Sequence, residues 1–218
     1  MAPRRRSGGY SHDSVEFGRV LAFSDGLFAI AMTLLVVTIV VPTVSDGDSV
    51  GELADALGDL QSNVISFFIS FAVIGRYWVA HHAFFSLLGA MDRGLIGLNL
   101  IYLAFIAFLP FPTALLGTYF ENPLAVTIYA VSVAIVSGLE VVLFRHAHDR
   151  GLMRRRMPED VYRWGMATSL SPVAVFVLSI PIAFLSTIAA ACSWLLTIPA
   201  LQIAERWKPA RADEFFGG

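Results

Sequence analysis

Apolar residues fall into six long runs, at about 18–41, 62–86, 95–117, 123–144, 162–182 and 184–204. Each is near the roughly 20 residues that a helix needs to cross the hydrocarbon of a bilayer. None alternates polar and apolar residues as a barrel strand would. The first run is too long for the apolar core of a cleaved leader, and no soluble domain follows it. The pattern therefore predicts an all-α membrane protein with six transmembrane helices. The boundary between the last two spans is expected around Pro181 and Ile182. The stretch Gly51–Gln61 alternates acidic and apolar residues at helical spacing, which predicts a short amphipathic helix continuous with the second span. Residues 1–16 and 209–218 read as loosely ordered tails on either side of a six-helix transmembrane domain at 17–208.

The polar positions give the orientation. Arg4, Arg5 and Arg6 precede the first span, and Arg93 follows the second. Six arginines (145, 150, 154, 155, 156 and 163) surround the loop after the fourth, and Arg206, Lys208 and Arg211 follow the sixth. The three opposite loops carry only acidic charges, at Asp46, Asp48, Glu52, Asp55, Asp59 and Glu121. Under the positive-inside rule both termini are cytoplasmic. The acidic outer loops either raise the local cation concentration or simply obey that topology.

Composition agrees with this reading. Of 218 residues, 56% are hydrophobic and 15% charged, with a net charge of −2. That is too little charge for an ordinary soluble enzyme surface. No long basic tract suits nucleic acid. The single Cys192 excludes an intramolecular disulfide and reads as an inert packing residue. No constellation supports an enzyme, and none calls for a cofactor. His81 and His82 project about 100° apart on a helix, a poor metal pair. His146, His148 and Asp149 read as a solvated loop in preference to a weak metal site.

Ionisable groups at membrane depth are costly unless paired or hydrated. Asp25 and Arg76 each lie about seven residues, or roughly 10 Å, from the basic end of antiparallel spans. That predicts a buried Asp25–Arg76 pair, with His81 or His82 as the competing partner for Asp25. Glu140, near the inner end of the fourth span, is expected to pair with a basic neighbour such as Arg93.

Rotating the first helix at 100° per residue gathers Gly26, Ile30, Thr33, Leu34, Val37 and Val41 within about 60° of one line. Ser24 and Asp25 fall well away from it, at about 140° and about −120°. The helix thus presents a Thr-interrupted apolar stripe to lipid, another helix or a pore, and is anchored behind by polar groups.

The string from Arg19 through Phe23-Ser24-Asp25 to Ala29-Ile30, Thr33-Leu34-Leu35 and Pro42 resembles the first-helix signature of the transmembrane protein 175 family of potassium-permeable channels. The likeness continues at Trp78 and His81-His82, at Asn99-Leu100, and at Leu109-Pro110-Phe111-Pro112-Thr113. It covers most of residues 17–117. The resemblance implies a homotetramer in a prokaryotic cell membrane, passing potassium and other monovalent cations. It further implies a pore lined by the first helix, with its constriction at Ile30 and further layers at Thr33, Leu34 and Val37. Arg19, Phe23, Ser24, Asp25, Trp78, His81 and Asn99 would hold that helix, with Arg76 placed against Asp25. An arginine at 76 and a glycine at 26 depart from the expected pattern. No TVGYG filter occurs in the chain. The competing reading is a secondary or proton-coupled transporter using Asp25, Arg76 and Glu140, but no inverted repeat supports it.

Overall fold

A computed structural model describes residues 9–216; the Arg4–Arg6 cluster lies outside them. Six helical spans are long and apolar enough to cross a membrane. The first is α1 (Val15–Val37), capped by Ser14, whose hydroxyl accepts the Phe17 amide. A separate short helix, α2 (Val50–Asp59), precedes α3 (Gln61–Leu87). The expected amphipathic segment is therefore present, but Leu60 interrupts its continuity with the second span.

The third span is broken. Helix α4 (Arg93–Phe108) ends at Leu109, and α5 (Pro110–Thr118) begins at once. Prolines 110 and 112 lack the amide hydrogens that a continuous helix would use there, and proline is favoured in a first turn. Helix α6 (Pro123–Asp149) is continuous. Helix α7 (Glu159–Ala183) carries Pro172 and Pro181 inside it. The boundary expected at Pro181 thus falls later. The turn lies at 184–186, and Ser186 caps α8 (Thr187–Ser193) by accepting the Ala189 amide. A single 3-10 turn (Trp194–Leu196) leads into α9 (Thr197–Arg206).

Helix α1 packs against α3, α4 and α5, while α6 packs most extensively against α7. Within the bilayer, apolar burial does little to hold helices together, so close packing and interhelical hydrogen bonds carry more of the load. Two polar knots serve here. Tyr77 of α3 places its hydroxyl 2.5 Å from Ser137 Oγ and 3.1 Å from the Val133 carbonyl of α6. Ser70 donates to Tyr129 at 3.0 Å, and the Thr113 hydroxyl lies 2.7 Å from Ser70.

Both described chain ends are ordered, against the expectation of loose tails. Tyr10–Ser11 forms a strand, β1, paired antiparallel with β2 (Ala90–Met91). At the other end, Ala212 is fully buried and Phe216 packs edge-on against Trp164. The two ends and the loops after α3 and α6 share one face of the bundle.

On that face, Asp92 caps α4 by accepting the Leu95 amide at 2.7 Å. It also meets His146 Nε2 at 3.0 Å and Arg150 at 3.6 Å. Partial burial acts to raise its carboxyl, but the Leu95 amide, His146 and Arg150 outweigh it and hold the group below the ordinary carboxylate value. His148 faces Asp149 and stacks on Tyr162. The described residues hold no group of three or more candidate metal ligands. Cys192 is exposed, not packed, because α8 turns only a narrow face to the core.

Candidate ion-conducting helix and its anchoring network

Helix α1 has two faces. Phe17, Ser24, Phe28, Ala31 and Leu35 are buried against the bundle. On the opposite side Ile30, Leu34 and Val37 stand 60%, 45% and 71% exposed, with Gly26 and Thr33 exposed on the same line. The structure thus leaves the predicted stripe uncovered by its own chain. The Thr33 hydroxyl donates to the Ile30 carbonyl at 2.9 Å. Its proton is used within the helix, so its lone pairs are free to face outward.

Behind α1 runs a directed chain of hydrogen bonds. The Ser24 hydroxyl donates to the Val20 carbonyl at 2.9 Å, so its oxygen is left to accept. It accepts from Asn99 Nδ2 at 3.1 Å. That orientation turns Asn99 Oδ1 toward His81 Nε2, 2.9 Å away, and requires the proton on Nε2. Ser24, Asn99 and His81 are all buried. The His81 ring stacks on Phe85 and Tyr102 at centroid distances of 4.3 and 5.6 Å, which fixes its plane.

Asp25 is held differently from the expectation. The Trp78 indole N–H donates to its carboxylate at 2.9 Å. Among the described residues Asp25 forms no ion pair with Arg76 or with either histidine. Trp78 and Arg76 are two positions apart, so about 200° separates them around α3. Matching depth therefore did not bring Arg76 to Asp25. Arg76 is exposed and lies within electrostatic reach of Glu140, whose expected partner was Arg93. His82 points away from His81 and lies against the Trp78 ring.

Of the eight expected anchoring residues, the chain joins Ser24, Asn99 and His81 in one string and Asp25 with Trp78 in a second contact. Arg19, Phe23 and Arg76 are exposed and make no hydrogen bond or ion pair with another described residue. Arg19 instead lines a cleft of about 380 Å³ with Glu16, Tyr10 and Asn99. The sequence reasoning missed Ser70, Tyr77, Thr113, Tyr129 and Ser137. One signal was available: Ser66, Ser70, Tyr77 and His81 recur four or seven residues apart along one face of α3.

Asn99→Ala removes both the donor to Ser24 and the acceptor of His81; Ser24 keeps its bond to the Val20 carbonyl, but the buried His81 Nε2–H is stranded. The loss is about 2 kcal/mol, since unsatisfied buried groups cost more than the modest average of an interhelical bond. Thermal melts in detergent should show a lowered midpoint for Asn99→Ala. The exposed neighbour substitution Leu100→Ala should leave it unchanged.

Comparison with known proteins bears directly on this arrangement. The sequence profile of the family described as endosomal/lysosomal potassium channel TMEM175 matches residues 19–110, from the second turn of α1 to the first residue of α5. A protein of Chamaesiphon minutus named as a potassium channel is 38% identical over 189 residues, covering 79% of this chain and 92% of that protein. The chain belongs to the TMEM175 family. A second relative, named as a potassium channel of Streptomyces collinus, is 44% identical over 121 residues. There the match spans 56% of this chain and only 57% of the relative's length. The crystal structure of a TMEM175 homologue from Chamaesiphon minutus, described as a lysosomal potassium-selective channel homologue, superposes with a TM-score of 0.74 at 30% identity. It covers 90% of this chain and 100% of that one. The likeness to that structure thus extends past residue 117, where the sequence signature fades.

Proposed function

We propose that this chain is a potassium-permeable cation channel of the cell membrane, assembled from four copies with α1 of each around a shared axis. Both termini then lie in the cytoplasm, on the face that carries the basic clusters. The observation that carries this reading is the two-faced character of α1. Its buried face is locked by Ser24, Asn99 and His81, while Ile30, Thr33, Leu34 and Val37 remain uncovered on one line. Relatives named as potassium channels support the choice of permeant ion.

In this mechanism the Ile30 ring excludes water when narrow and gates by dewetting. Thr33 presents lone pairs one turn beyond it, where they replace part of the hydration shell of a passing cation. Leu34 and Val37 form the layers on the outer side. Asp46, Asp48, Glu52, Asp55 and Asp59 raise the cation concentration at the mouth. The proposal needs no bound cofactor and no catalytic residue. The transporter alternative is not favoured: Asp25 is engaged by Trp78 and not by Arg76, and the relatives cited are named as channels.

The test is flux from liposomes loaded with potassium. A channel passes the ion down its gradient with no co-substrate and at rates that do not saturate early. Slow, saturating flux that needs a second solute would overturn the proposal.

A further inference from the structure

The loop between α6 and α7 encloses a cleft of about 780 Å³ that the conduction mechanism does not use. Gly151, with φ of +64°, ends α6 in the left-handed conformation. The Gly151 and Leu152 amides then return to the His148 and Ala147 carbonyls, which turns the chain sharply out of the helix. Arg155 and Arg156 line the resulting cleft. Both are exposed, and neither makes a hydrogen bond or ion pair with another described residue. The cleft's far wall is the start of α7, a 25-residue helix whose N-cap is Pro158 and which has no side-chain cap. Its first-turn amides have no partner within the helix, and such ends favour anions. Two carboxylates, Asp149 and Glu159, also line the cleft. Asp149 is already engaged by Arg145 at 3.5 Å and His148 at 3.3 Å. Arg150, also in the lining, is engaged by Asp92 at 3.6 Å, which leaves Arg155 and Arg156 against Glu159, a balance that suits a singly charged phosphodiester better than a phosphate dianion.

The same loop is sewn to the start of α1. The Gly89 and Ala90 amides donate to the Leu152 carbonyl at 2.8 and 3.2 Å, and the Arg154 amide donates to Leu87 at 2.9 Å. A Cβ at Gly89 would meet the Arg154 backbone at 3.0 Å, so a side chain there would press the two segments apart by a few tenths of an ångström. Residues 90 and 91 then pair with Ser11 and Tyr10, and the His12 amide donates to the Gly89 carbonyl at 2.9 Å. Ser14, which caps α1, donates its amide to Ser11 at 2.9 Å. An unbroken run of backbone hydrogen bonds joins the arginine cleft to the first turn of the stripe-bearing helix.

We propose that this cleft binds the phosphodiester headgroup of an anionic phospholipid through Arg155 and Arg156, and that occupancy is relayed to α1 through the backbone ladder. The relay rests on the pore reading above; the binding does not. The full chain in detergent is titrated with short-chain phosphatidylglycerol, phosphatidylcholine or inorganic phosphate while its melting temperature is followed. Phosphatidylglycerol should stabilise the wild type, and the double variant Arg155→Gln/Arg156→Gln should need about tenfold more of it, the loss of one or two charge-assisted hydrogen bonds. Without lipid, wild type and variant should melt together, since these side chains make no bonds to another described residue. Equal stabilisation of both proteins, or an equal effect of inorganic phosphate, would overturn the site.

In liposomes of phosphatidylcholine with graded phosphatidylglycerol, wild-type potassium flux should depend on the anionic fraction and the variant's should not. Flux indifferent to that fraction, with binding intact, would overturn the relay alone. No flux in any membrane would overturn the pore reading and leave the binding result standing.

Discussion

Replacing Ile30 with asparagine should raise potassium flux through reconstituted protein by about tenfold and weaken its closure. The size follows from the barrier. A tenfold gain needs about 1.4 kcal/mol, which the four side chains of the proposed tetramer would share at roughly 0.35 kcal/mol each. An amide in place of a sec-butyl group exceeds that easily, because it hydrogen-bonds water in the constriction and removes the dewetting barrier. Ile30 is 60% exposed on its own chain, so the change should cost the monomer's packing little. The same substitution at Leu35, fully buried on the opposite face, should destabilise the protein instead of opening it. Unchanged flux in a folded Ile30→Asn protein would count heavily against the constriction.

The spans themselves were legible because twenty apolar residues in a row admit few other structures. The rotation of α1 was legible because its polar and apolar positions segregate at helical period, and Ser24 is indeed buried where Ile30 is not. The partner of Asp25 was not. Depth along two antiparallel helices can be read from a sequence, but the rotation of the second helix against the first cannot. Arg76 and Trp78 lie at nearly the same depth on different sides of α3, and the tryptophan is the one that reaches Asp25. The break at Leu109 was hinted at by two prolines, whereas Pro181 marked no boundary, since a membrane helix absorbs such a residue without ending. Pairing of Tyr10–Ser11 with Ala90–Met91 left no trace at all, because two-residue strands carry no periodicity.

The central claim is that the uncovered stripe of α1 faces water and ions and not lipid. Its most direct measurement uses cysteine in a Cys192→Ser background, which removes the one exposed native thiol. Val37→Cys, one layer outward of Thr33, is treated with a membrane-impermeant cationic thiol reagent from the outer side while potassium current is recorded. Leu178→Cys, 66% exposed on α7, serves as the comparison. Four positive adducts around one narrow axis repel potassium and fill the passage, so current through Val37→Cys should fall to near zero. Current through Leu178→Cys should not change. Full current after confirmed labelling of Val37→Cys, or equal block at Leu178→Cys, would contradict a pore lined by α1.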